Sequence, residues 1–145
     1  MLKKILFKIL FNKQLIGIKN LNFRKRFQLT IDRGQVIFGR NVFFNNDCSI
    51  HSVGKINIGN DCIFGENVKI YDHNHIFKSK LEPIRIQGLS HGNVEIGNNV
   101  WVGTNVVILS GSKIGSNVVV GAGNIISGII PDNSIVKKGK IEKWR

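Results

Sequence analysis

Four histidines, His51, His73, His75 and His91, are the side chains of this 145-residue chain best suited to move protons near neutral pH. Three of them lie between Tyr71 and Glu95, and two share one short segment, Asp72-His73-Asn74-His75. A histidine held against a reacting hydroxyl is a general base, whereas one in an open loop is merely solvated; residue type alone leaves both readings open. Asp72 either fixes an imidazole tautomer by hydrogen bonding or begins a turn. His51 and His91 read as structural or exposed. Three histidines can also hold zinc, but one stretch of chain is a poor source of three converging ligands. Cys48 and Cys62 are fourteen residues apart with no CxxC pair, which is neither a zinc pattern nor a disulfide framework. They are expected as buried core thiols in a reducing cytoplasm.

The scaffold that must position these residues is written as a repeat of six. Ile96-Gly97-Asn98-Asn99-Val100-Trp101 is followed by Val102-Gly103-Thr104-Asn105-Val106-Val107 and by units starting at Ile108, Ile114 and Val120. Weaker blocks run through Ile58-Gly59, Phe64-Gly65 and Ile70, and through Phe38-Gly39, Phe44 and Ile50. The first position is large and apolar, the second is usually Gly, and the fifth is small. Six is divisible by two, so each unit fits a short strand; it is not a helical period. Gly, Asn and Asp beside the aliphatic residue supply the positive φ needed to turn a corner. Three such sides close a coil after about eighteen residues, and the aliphatic residues of successive coils stack. Between Ile70 and Ile96 the repeat is broken by an excursion, and excursions from rigid scaffolds tend to carry function.

The ends differ from this body. Met1–Leu10 has apolar residues at 2, 5, 6, 9 and 10, a short helical stripe. Lysines interrupt it and no small-residue cleavage site follows, so it does not read as a signal peptide. No apolar run approaches the roughly 20 residues of a membrane span. Of the net charge of +12, much lies early: ten Lys and Arg face one acid, Asp32, in the first forty residues. Such a segment attracts nucleic acid, anionic lipid or an anionic substrate, or is simply a solvated surface. A nucleic-acid role would rest on charge alone, since no binding motif is present, and none is expected.

The stretch IGNNVWVGTNVVILSGSKIGSNVVVGAGNIISGIIP, together with INIGNDCIFGENVKIYDHNH before it, resembles the hexapeptide-repeat acyltransferases, among them the galactoside, maltose and short polysaccharide O-acetyltransferases. The resemblance implies an all-β fold, a left-handed parallel β-helix with one excursion loop and a short N-terminal helix or cap. It also implies a homotrimer with acyl-CoA in a groove between subunits. The family's catalytic histidine, five residues beyond the last aliphatic position before the loop, falls on His75, with Asp72 beside it. The oxyanion donor falls on the N–H of Thr104. Asn45, Asp47 and His73 fall on the acceptor side, although Asn45 and Asp47 are also ordinary corner residues. Trp101, Gly103, Gly121 and Ala122 fall beside the pantetheine groove. A lysine often placed against CoA phosphates is replaced by Gly128, which leaves Lys137 and Lys143 of the basic tail as substitutes.

The expectation is therefore an O-acetyltransferase using acetyl-CoA and no metal, acting on a sugar or surface-glycan precursor. N-acetylation of an amino sugar, a metal enzyme of the γ-carbonic-anhydrase type and a non-catalytic binding module are the alternatives. The expected division is a basic amphipathic segment (1–28), a β-helix (29–136) with loop 71–95, and a basic tail (137–145). The expected location is cytoplasmic; the apolar stripe is expected to cap the end of the β-helix or pack on a neighbouring subunit, the alternative being peripheral contact of residues 2–26 with the anionic inner face of a membrane.

Overall fold

The computed structural model describes residues 2–144. Its architecture is a left-handed parallel β-helix of about six turns with one short N-terminal helix. Three faces wind in order. The first holds Leu15–Ile16, Gln35–Phe38, Lys55–Ile58, Val94–Ile96, Lys113–Ile114 and Ile129–Ile130. The second holds Leu21–Phe23, Val42–Phe44, Ile63–Phe64, Val100–Val102, Val118–Val120 and Ser134–Lys137, and the third Gln28–Ile31, Ser49–Ser52, Lys69–Tyr71, Val107–Ile108 and Ile125–Ile126. The faces thus begin with strands at Leu15, Leu21 and Gln28, inside the stretch set apart by its charge.

Alternation along each strand turns one residue inward, and the inward residues stack coil on coil. Ile56, Ile58, Val94, Val102, Val106, Ile108, Val118 and Val120 are all fully or almost fully buried. Each such side chain removed from water contributes about 1.5–3 kcal/mol. Phe27, Phe44 and Phe64 form an inward aromatic column, the last pair stacked at 4.1 Å. Cys48 and Cys62 are free, buried thiols in the same interior. Burial pushes Cys62 up to about 11, so it stays a thiol.

Register shows that coil length varies. Ile96 pairs with Ile114, eighteen residues on, as the hexapeptide count requires. Phe38 pairs with Ile58 and Ile50 with Ile70, twenty residues on. The two extra residues widen the corner between the third and first faces, near 32–34 and 52–54. At that corner in the next coil the chain leaves the solenoid altogether, over 72–93.

The ends are capped differently. Helix α1 (Leu2–Phe11) closes the first coil with Phe7, which packs on Phe23 and Phe27. This corrects the expectation from the stripe: Leu2, Ile5, Leu6, Ile9 and Leu10 point to solvent, and the capping contact comes from Phe7 and half-buried Phe11. At the other end Lys140–Lys143 folds back antiparallel on Ser134–Lys137, shielding the last edge of the second face.

Candidate functional site

The excursion starts from one buried carboxylate. Asp72 is fully buried directly after Tyr71. It accepts hydrogen bonds from Ser52 Oγ (2.8 Å), Val53 N (2.8 Å) and Gly54 N (2.9 Å), all at the widened corner of the preceding coil. Its carbonyl accepts from Gly92 N and Ser110 Oγ, each at 2.9 Å. One residue therefore ties the departing chain to the coil before, the returning chain and the coil after. Buried polar groups must be satisfied in this way, and none among the described side chains is left without a partner.

From this anchor a two-stranded antiparallel ribbon rises, His73–His75 against Leu89–His91. Its register sets His73 opposite His91 and His75 opposite Leu89. His73 turns back to the solenoid: its Nδ1 lies 3.3 Å from Asp72 Oδ1, and its ring stands edge-on to His51 at 4.8 Å. Asp72 thus orients His73 and not His75. His75 is exposed and borders a hollow of about 730 Å³ shared with Ile76, Phe77, Lys78 and Ile84. Among the described residues, no group of three or more His, Cys, Asp or Glu side chains is placed to hold a metal ion.

Thr104 occupies a different edge of the prism. It lies between Val100–Val102 on the second face and Val107–Ile108 on the third, whereas the ribbon leaves between the third and the first. Its N–H makes no hydrogen bond among the described residues. A second hollow, about 680 Å³, runs along this edge past Arg26, Asp47, Glu66, Lys69 and Thr104. Asp47 turns a corner at φ 62° and is engaged by Arg26, whose guanidinium holds its carboxyl below the usual carboxylate range. Asn45 accepts from the N–H of Asn46 through its side chain. Both therefore already serve the corner.

The donor-side residues gather on the same edge. A Cβ on Gly103 would come 2.6 Å from Ala122 N, so this glycine is demanded by coil stacking. Gly121 is crowded in the same sense by Val136 O at 2.9 Å, and Ala122 is exposed. Small side chains here leave backbone amides uncovered, and the free Thr104 N–H is the kind of donor a thioester carbonyl needs, so the edge fits an acyl-CoA. Of the tail cations, Lys137 faces Glu142 at 3.4 Å and Lys143 is exposed. Trp101, 56% exposed, points out from the middle of the second face.

Ser52 and Ser110 were not evident as partners of Asp72 in the residue types, nor was His51 as the ring beside His73. Counting twenty residues back from Asp72, the true coil length there, would have found Ser52.

A family model described as bacterial transferase hexapeptide (six repeats) matches residues 93–128. The chain is 35% identical over 125 residues to an Escherichia coli (strain K12) protein named as a lipopolysaccharide biosynthesis O-acetyl transferase, covering 79% of this chain and 64% of that one. It is 36% identical over 98 residues to the galactoside O-acetyltransferase of the same organism, covering 67% of this chain and 47% of that one. The chain thus spans less than two thirds of the length of these relatives. Among solved structures, a galactoside acetyltransferase in complex with coenzyme A superposes with a TM-score of 0.73 at 27% identity, covering 99% of this chain and 68% of that one. A maltose O-acetyltransferase from Clostridium difficile 630 gives 0.69 at 29%, covering 94% and 73%.

Proposed function

The chain belongs to the hexapeptide-repeat transferase family, and from that premise we propose that it moves an acetyl group from acetyl-CoA to a hydroxyl of a sugar or glycan precursor. The observation that carries this reading is the placement of His75, exposed at the outer end of a ribbon whose base Asp72 ties to the coils before and after it, beside a hollow of about 730 Å³. A sugar hydroxyl is a poor nucleophile until its proton is taken, and neutral imidazole takes protons near neutral pH. Acetyl-CoA, when bound, supplies an acyl group already activated as a thioester. The remaining task for this chain is to hold a hydrogen-bond donor where negative charge builds on the carbonyl oxygen, and the free N–H of Thr104 supplies it. His73, held by Asp72 and His51, fixes the start of the ribbon and so the reach of His75.

His75 and Thr104 lie on different edges, so a groove using both is closed by a second copy. Supporting this, the outward residues of the second face form an apolar ladder through successive coils: Phe43, Ile63, Trp101, Val119 and Ile135. The outward row of the first face is mixed, with Asn57, Glu95 and Lys113 between Ile16 and Ile37 at one end and Ile129 at the other. A homotrimer packed through the apolar face brings the ribbon edge of one copy to the Thr104 edge of the next. Asn45 and Asp47 border that edge as acceptor contacts, and Lys143 remains for the CoA phosphates.

The test is calorimetric titration with acetyl-CoA, followed by a panel of sugar and amino-sugar acceptors read by release of free thiol. Wild-type protein should bind acetyl-CoA saturably, and His75→Ala should keep that binding while kcat falls about 10²–10⁴-fold. No binding at millimolar acetyl-CoA by folded protein overturns the reading. Undiminished turnover by His75→Ala overturns the assignment of the base, and turnover confined to amino sugars moves the acceptor to an amine.

A further inference from the structure

Helix α1 has two apolar faces and uses one. Phe7 and Phe11 are turned into the solenoid, Phe7 being the buried one. Residues of a helix advance by about 100° each, which puts Leu2, Ile5, Leu6 and Ile9 on the side directly opposite, with Leu10 adjoining. These side chains are free: Leu2 is 84% and Ile9 71% exposed. A helix that only caps a solenoid turns charged residues outward. Here the charges stand at the borders. Lys3 is drawn to the body, its Nζ donating to Phe27 O and lying over the Phe7 and Phe23 rings. Lys8 is exposed on the opposite border, next to Lys4.

Along the chain, the flanking segment carries one sign. From Lys3 through Arg26 every charged side chain is a cation, and the first carboxylate of the chain is Asp32. Arg24 and Lys25, exposed in the first coil, follow Phe23, the ring on which Phe7 packs. An outward aliphatic face, bordered by lysines and set in an acid-free segment, is the pattern of a helix lying in the boundary layer of an anionic bilayer.

We propose that α1 docks the protein on an anionic lipid surface, with Leu2, Ile5, Leu6 and Ile9 entering the acyl boundary and Lys8, with Lys4 beside it, at the phosphates. The complementary charge chooses lipid over a second copy. Two copies meeting through this face would bring Lys4 and Lys8 of each together at a repulsive cost, since the carboxylates beside this end, Asp47 and Glu66, sit in the hollow that Lys3 and Arg26 line and Asp47 is already held by Arg26. Because α1 covers the end of the first coil, docking is end-on. The solenoid then stands on the membrane with its three faces and the ribbon of His75 clear of lipid.

Flotation of the purified full chain with phosphatidylcholine vesicles, with and without phosphatidylglycerol, tests this. The protein should float only with phosphatidylglycerol and be released by raised salt. Ile5→Glu with Ile9→Glu should abolish flotation, and Lys8→Gln should weaken partitioning about fivefold. Both changes are at exposed positions, so thermal midpoint and oligomeric state should match wild type. Absence of flotation with phosphatidylglycerol overturns the proposal, as does equal flotation with neutral vesicles. Loss of an oligomer in the Glu variant would overturn it too, by giving the face to a second copy.

Discussion

The His51 ring is half-buried and stands against His73, so two imidazoles share the small space beside Asp72. Burial, and then repulsion from His73, hold the His51 pKa below the ordinary imidazole value, against the opposing pull of Asp72 and Asp32. In the unfolded chain His51 takes its proton near pH ~6.5. In the folded chain it does so only at lower pH, and between those points the unfolded state binds more protons. Stability therefore rises with pH through this window: the contribution is complete above about pH 6.5 and is lost as pH falls through the depressed folded value. Urea midpoints measured across that window should fall on acidification, and His51→Gln should flatten the fall. An unchanged slope in His51→Gln would place the sensitivity elsewhere. The same corner shows what residue types reveal about a site and what they hide. Asp72-His73-Asn74-His75 is conspicuous in the sequence, but it is the family resemblance, not the repeat itself, that singles out His75 within it. The role of Asp72 was not legible, because two of its three donors are backbone N–H groups, which every non-proline residue has. Ser52 was hidden by the eighteen-residue count, since its own coil closes after twenty.

At the scale of the coil, corners are held by asparagines in left-handed conformation that bond one to the next. Asn99 donates to Asn117 (2.9 Å) and Asn117 to Asn133 (3.1 Å), each with φ between 54° and 56°. Asn67 and Asn105 repeat the arrangement on the next edge at 2.7 Å. Asparagine is tolerated at positive φ because its short polar side chain can bond locally, while alanine there costs about 1–2 kcal/mol. Asn117→Ala should thus lower stability by about 2 kcal/mol, combining backbone strain with the lost ladder bonds. Asn117→Gly keeps the φ and loses only the bonds, so it should cost less than about 1 kcal/mol. Urea unfolding of both separates the causes: equal losses would mean that the ladder, not the backbone, is what asparagine supplies. These corners explain why the fold was readable and correct one detail: the residue at positive φ is the asparagine three after the aliphatic position, as in Asn99, Asn105 and Asn117, whereas the glycine directly after it, as in Gly97 and Gly103, is demanded by the close approach of the next coil. Helix α1 was readable only in part. Its stripe predicts a helix, but with Phe7 and Phe11 on the other side both faces are apolar, and pattern alone does not tell which one meets the first coil. The packing of Phe7 on Phe23 and Phe27 does.

For the whole molecule, the question is what covers the second face. Phe43, Ile63, Trp101, Val119 and Ile135 run along it with no charged residue among them, and Trp101 stands near the middle. A stable interface buries about 800 Å² per partner and concentrates its energy in central aromatic anchors. On that argument Trp101 anchors the contact between copies, whereas the family resemblance sets it beside the donor groove. Trp101→Glu decides between them, because a carboxylate in the centre of an apolar interface is buried without a partner. Wild type should sediment as a trimer and Trp101→Glu as a monomer with an unchanged circular dichroism spectrum, the core-facing Val100 and Val102 being untouched. Acetyl-CoA binding should be lost with the trimer, since the Thr104 edge then lacks the neighbour that closes its groove. A Trp101→Glu protein that remains a trimer and binds acetyl-CoA more weakly would move Trp101 from the interface to the donor groove. A trimer with binding intact would free the residue of both roles and leave the apolar ladder to be tested at Phe43 and Ile63.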